Sequence, residues 1–102
     1  MSKKNKDIYF TITGMNHYYG QNFLKKGMEV KLVKEPDNMF DTEAILVQLE
    51  GIGDIGHVAN SPKTVCGDCY SAGRLYDKFG KKAVGKVKYV LDYGVVCVLK
   101  EK

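Results

Sequence analysis

The sequence predicts a mainly β fold: a small six-stranded barrel of the oligonucleotide-binding kind, with a short helical insertion after the fourth strand. Three observations carry this. Runs rich in β-branched and aromatic residues alternate apolar with polar positions. Glycine, proline, asparagine and aspartate punctuate them at short intervals. One stretch after the fourth run keeps a helical spacing. A sheet of short strands has edges to protect, and closing it into a barrel removes them. A chain of 102 residues, 44% of them hydrophobic, can build one core and is too short for two domains.

The elements follow in order. In IYFTITG (8–14) Ile8, Phe10 and Ile12 alternate with Tyr9, Thr11 and Thr13, which reads as a half-buried strand closed by Gly14. In MEVKLVK (28–34) Val30 and Leu32 share one face and Lys31 and Val33 the other, and Pro36 ends the run because it lacks a ladder donor. AILVQLE (44–50) puts Ile45, Val47 and Leu49 on one face, and GIGD (51–54) supplies a tight hairpin before a fourth strand, IGHVA (55–59). NSPKTVCGDC (60–69) has no period. SAGRLYDKF (71–79) has Ser71 as N-cap, Leu75 and Phe79 at i and i+4, and Gly80 as a stop, with Arg74 and Asp77 spaced to pair on the helix surface. In AVGKVKYVL (83–91) Val87, Tyr89 and Leu91 alternate with Lys86 and Lys88; DYG (92–94) turns the chain into a last strand, VVCVL (95–99). No internal repeat or low-complexity tract is visible.

Sixteen Lys and Arg against 12 Asp and Glu leave a net charge of +4, which favours an anionic partner without identifying it. Residues 1–7, with Lys3, Lys4 and Lys6, are expected to be a flexible basic terminus ahead of a single domain over 8–102. There is no apolar run of signal-peptide type and no stretch near the roughly 20 apolar residues of a membrane span, so a cytoplasmic protein with no membrane partner is expected. Three cysteines read as reduced thiols.

Two stretches stand out as a candidate site. GMNHYYGQNF (14–23) carries His17, Tyr18, Tyr19 and Phe23 on a loop between strands, where rings either plug the barrel end or offer stacking platforms to unpaired bases. EPDNMFDTEAI (35–45) sets Phe40 beside Asp41 in a turn. In one reading Asp37 or Asn38 bonds the local backbone and Phe40 packs inward. In the other, Phe40 faces a base and Asp41 accepts a hydrogen bond from a hydroxyl. A carboxylate repels phosphates, so it suits a place where the phosphate chain ends.

GMNHYYG, then KEPDNMFDTEAI, then IGHVANS, in that order, resemble the HIRAN domain, a module of post-replication-repair DNA translocases that also occurs alone in bacteria. The resemblance spans roughly residues 8–99, and SAGRLYD (71–77) is similar to the stand-alone bacterial members. It implies an oligonucleotide-binding-like barrel that captures the 3′-hydroxyl end of single-stranded DNA in repair or replication. Carried over by motif, Tyr18, in a register that extends to His17, and Phe40 would hold the terminal bases, with Tyr19 counted among the binding residues. Asp41 would bond the terminal 3′-hydroxyl, His57 would lie near the end phosphate or sugar, and Asn38 in the same turn is counted with the binding residues. The translocase form has an Arg in the first loop, where this chain has Asn16 and His17, a Tyr where it has Phe40, and a Lys after the His, where it offers Asn60 and Lys63. Fewer positive groups imply weak, salt-sensitive binding. The partners so implied are a 3′ single-stranded end and a DNA-processing enzyme supplied in trans.

Other features give less. His57 is equally well a structural strand residue, and Lys86 and Lys88 form either a phosphate track or a solvated face. Cys66 and Cys69 in CGDC are weak metal candidates, since no second ligand pair of zinc spacing exists and a redox motif would sit in a βαβ unit. No phosphate-cradling glycine loop, zinc-protease helix or nucleophile elbow occurs, so a non-catalytic module without cofactor is expected, with a protein-interaction surface on the same aromatic rim as the alternative function.

Overall fold

The computed structural model describes residues 7–15, 22–92 and 94–100. Its six strands are β1 (Tyr9–Thr13), β2 (Glu29–Lys34), β3 (Ile45–Leu49), β4 (Gly53–Val58), β5 (Lys82–Leu91) and β6 (Gly94–Lys100). They close into a barrel in the order β1-β4-β3-β2-β5-β6, every pairing antiparallel. One short helix, α1 (Ala72–Leu75), continues as a 3₁₀ turn over Tyr76–Lys78 between β4 and β5. The expected class and element order are therefore observed.

The alternation read from the sequence points inward where expected. Phe10, Ile12, Val30, Leu32, Ile45, Val47, Ile55, Val87, Val95 and Cys97 have no exposed surface and form the core. Two glycines make close approaches that a side chain would block. A Cβ on Gly85 would stand 2.6 Å from Phe10 Cζ, so the ring lies directly on the β5 backbone. On Gly56 it would stand 2.8 Å from the Thr13 carbonyl oxygen and 3.1 Å from Met15 Cγ, so the stem of the first loop packs against β4.

Apart from shifts of a residue at strand ends, three features differ from expectation. Strand β4 starts at Gly53 rather than Ile55, because the reversal is completed by Gly51 at φ 87° and Gly53 at φ 100°, with Ile52 N–H donating to the Leu49 carbonyl. The helix stops at Lys78, since Phe79 is extended at φ −153°. In β5 the register shifts between Val87 and Tyr89, a bulge that breaks the alternation: Val87 is buried but Tyr89 is 59% exposed. The expected grouping of Val87, Tyr89 and Leu91 on one face is corrected accordingly.

The irregular 60–70 segment is anchored to β1. Thr11, fully buried, accepts the Cys66 N–H on Oγ1 at 3.0 Å and the Ala59 N–H on its carbonyl at 2.8 Å, and Tyr70 N–H donates to the Tyr9 carbonyl at 2.7 Å. Ser71 caps α1 by accepting the Arg74 N–H, and Ala72 and Leu75 enter the core. Beyond the helix, Lys34 Nζ donates to the Phe79 carbonyl at 2.7 Å and lies 4.3 Å from the Tyr76 ring centroid and 4.9 Å from that of Phe79. The helical segment thus bridges from the end of β4 to the end of β2. That is the barrel end from which the β2–β3 turn projects.

Candidate functional site

The β2–β3 connection, residues 35–44, is held by its own short polar side chains. Asn38 N–H donates to the Glu35 carbonyl at 3.0 Å, and Asn38 Oδ1 accepts the N–H groups of Phe40 at 2.9 Å and Asp41 at 3.0 Å. Asp41 Oδ1 accepts the Glu43 N–H at 2.9 Å and its carbonyl the Ala44 N–H at 3.1 Å, while Glu35 N–H donates to the Ala44 carbonyl at 2.9 Å. These bonds leave the backbone little freedom to turn Phe40 inward. The ring is 96% exposed and Met39 beside it 91% exposed. Of the two sequence readings of this turn, the local side-chain bond by Asn38 is present, whereas the inward Phe40 is not.

A second tier ties the turn to the rest of the barrel end. Asn60 Nδ2 donates to Asp41 Oδ2 at 2.9 Å, and Asn60 Oδ1 accepts the Gly73 N–H of α1 at 2.8 Å. One side chain therefore joins the turn, the end of β4 and the helix. His57, half-buried on β4, sits opposite Thr13 on β1 and Leu46 on β3, and its Nε2 is 2.9 Å from Glu35 Oε1 at the root of the turn. The pairing with Thr13 places the stem of the first loop beside His57.

Asn38, Phe40, Asp41, His57 and Asn60 are thus brought together. Asn38 serves as the brace beneath Phe40. Both oxygens of Asp41 already accept a hydrogen bond, and since each carboxylate oxygen can accept two, a hydroxyl donor can still be added. Lys63 is exposed in the turn after Asn60, with its backbone N–H on Ser61 Oγ and no side-chain bond among the described residues. His17, Tyr18 and Tyr19 lie outside the described residues. Phe23, at the far end of that loop, packs against the core.

Several partners were not singled out from the sequence. Glu35 was visible in the motif, but nothing local shows that it meets His57, 22 residues away. The Asn60–Gly73 bond has no sequence signal beyond the glycine itself. Arg74 does not pair with Asp77; its guanidinium stacks 4.2 Å from the centroid of Tyr70.

Cys66 and Cys69 sit on a turn closed by Cys69 N–H to the Cys66 carbonyl at 3.0 Å, with Gly67 at φ 51°. All three thiols are free, and among the described residues no group of three or more His, Cys, Asp or Glu is placed to hold a metal ion. Burial pushes the Cys69 thiol up despite a hydrogen bond from Thr11, and pushes Cys97 up to about 12. Neither is an activated thiol. No described helix is long and apolar enough to cross a membrane.

Comparison with the solved structures gives a match to the crystal structure of the HIRAN domain of human HLTF, at TM-score 0.60 and 19% identity, covering 91% of this chain and 74% of that one. At that identity the match establishes the fold. Comparison with the curated proteins finds no relative by sequence. The HIRAN domain family matches residues 5–92, and the chain belongs to that family.

Proposed function

We propose that this chain is a non-catalytic module that binds single-stranded DNA at its 3′-hydroxyl end, in a repair or replication setting. The observation that carries the reading is Phe40: a large ring 96% exposed, on a turn whose hydrogen bonds hold it outward. With its backbone already fixed, the ring can stack on a base at the cost of its side-chain rotamers alone, and such a stack contributes about 1–3 kcal/mol.

The charge around that ring supports an end rather than a continuous strand. Between Glu35 and Glu43 the chain has four carboxylates, Glu35, Asp37, Asp41 and Glu43, and no basic residue. Phosphates on both sides of a stacked base would meet this charge unfavourably, whereas a terminal hydroxyl adds no charge and donates to Asp41. This reading assigns the adjoining sugar or phosphate to His57, which pairs with Thr13 at the first-loop stem, while Asn60 donates to Asp41.

Fluorescence anisotropy with matched oligonucleotides ending in 3′-hydroxyl or 3′-phosphate tests this. A hydrogen bond to a charged group is worth about 1.5–3 kcal/mol, so the hydroxyl end should bind on the order of ten- to a hundredfold more tightly. Equal affinity for the two ends, or no binding at low salt, would sink the reading and leave the protein-interaction role of the same rim in its place.

A further inference from the structure

We propose that Arg74, Lys78, Lys81 and Lys82 form a second contact surface, a track for the sugar-phosphate backbone of the strand whose end sits at the Phe40 turn. The identity of that strand rests on the function proposed above; the track itself rests on charge and position.

All four side chains are exposed, and none is ion-paired among the described residues. Between residues 74 and 82 there are four basic residues and one acid, Asp77, the inverse of the 35–43 turn. The two charge sets are neighbours. Gly73, one residue before Arg74, gives its N–H to Asn60, which holds Asp41, and a Cβ on Gly73 would stand 2.7 Å from Glu43 Oε1. From that contact the basic segment runs across the barrel end to β2, where the Lys81 carbonyl accepts the Lys34 N–H at 3.1 Å.

Part of the strip is pre-ordered. Arg74 Cζ lies over the Tyr70 ring, 4.2 Å from its centroid, and Lys78 Nζ approaches the same ring at 5.9 Å. A guanidinium held over a ring and not ion-paired among the described residues has N–H groups to offer to two phosphate oxygens. With screening over about 8 Å at physiological salt, each charge set acts locally. Phosphates are drawn to the strip and pushed from the turn, so a strand settles in one polarity, its terminus at Asp41 and its body over the helix.

The test is a set of salt titrations by fluorescence anisotropy, using a 3′-hydroxyl oligothymidylate of about 12 nucleotides, within the span of such barrels. Wild type is compared with R74Q/K78Q and with K81Q/K82Q. Each lost phosphate contact lowers the slope of log K against log salt by about 0.7, so each double variant should lose up to about 1.4. The ratio of affinities for hydroxyl and phosphate ends, set at the turn, should keep its wild-type value. K81Q/K82Q keeps the test valid if loss of the Tyr70 contacts loosens the helix, because neither of those side chains makes a described contact.

Wild-type slopes in both variants overturn the track even if the end preference holds. An absent end preference sinks the end reading, while reduced slopes still uphold the track. Unchanged DNA slopes, with polyglutamate binding that both variants lose, would assign the strip to an acidic protein and overturn the proposal.

Discussion

Phe10 and Phe40 put the same side chain under opposite physics. Phe10 on β1 is fully buried, its ring against the backbone of Gly85, and most of its value is the apolar surface it removes from water. Phe40 on the β2–β3 turn contributes almost nothing of that kind, being 96% exposed, yet Asn38 and Asp41 supply the hydrogen bonds that aim it outward. In the core the side chain supports the fold; at the turn the fold supports the side chain. An exposed ring on a braced turn is what the proposed stacking on a base requires.

The largest expected effect lies on the core side. Phe10→Ala should cost about 3–5 kcal/mol in denaturant unfolding, through lost burial and an unfilled cavity. A loss below about 1 kcal/mol would place the working core elsewhere.

Cys97, opposite Phe10 in the β1–β6 register, gives the core a pH signature. In the unfolded chain its thiol ionises near the ordinary value of 9.0, and burial in the folded chain pushes it up to about 12. The folded state therefore keeps a proton that the unfolded state gives up. Its contribution is complete below pH 9 and falls by at most about 1.4 kcal/mol per pH unit until the folded thiol ionises. Unfolding free energies measured from pH 8 to 11 should drop less steeply in Cys97→Ala than in wild type; parallel curves would contradict the burial.

Asn38→Ala removes two acceptor contacts from a half-exposed turn and should cost about 1 kcal/mol of stability. It should also weaken oligonucleotide binding, because Phe40 loses its brace. Unchanged affinity would mean that the ring needs no orientation.

Phe40→Ala should change stability by no more than about 0.5 kcal/mol, yet lower affinity for single-stranded DNA by about 1–3 kcal/mol. Thermal melting and anisotropy on one preparation separate the two. A destabilised variant with intact binding would reverse the assignment of the two phenylalanines.

Much of this contrast was legible in the sequence. Strand alternation placed Phe10, Val30, Leu32, Ile45 and Val47 inside because a period of two has only one apolar face to bury. The turn chemistry of Asn38 was legible too, since Asn side chains bond nearby backbone. The bulge that turns Tyr89 outward was not, because an extra residue in β5 is defined by its pairing with β6 and leaves no mark in β5 alone. Nor were the links from Asn60 to Asp41 and Gly73, or from His57 to Glu35, which exist only once the barrel has closed. The exchange of an Arg74–Asp77 pair for Arg74 on Tyr70 has the same origin: the ring arrives with the 60–70 segment docked on β1.

The central claim is that Asp41 reads the strand's terminal hydroxyl, and Asp41→Asn isolates it. The amide retains an oxygen for the Glu43 N–H but loses the charge and meets Asn60 with the wrong partner. Affinities of this variant for matched 3′-hydroxyl and 3′-phosphate oligonucleotides should converge to within about threefold, where wild type is expected to separate them on the order of ten- to a hundredfold. A wild-type ratio in the folded variant would contradict the claim, and the carboxylate would then be a brace for the turn and nothing more.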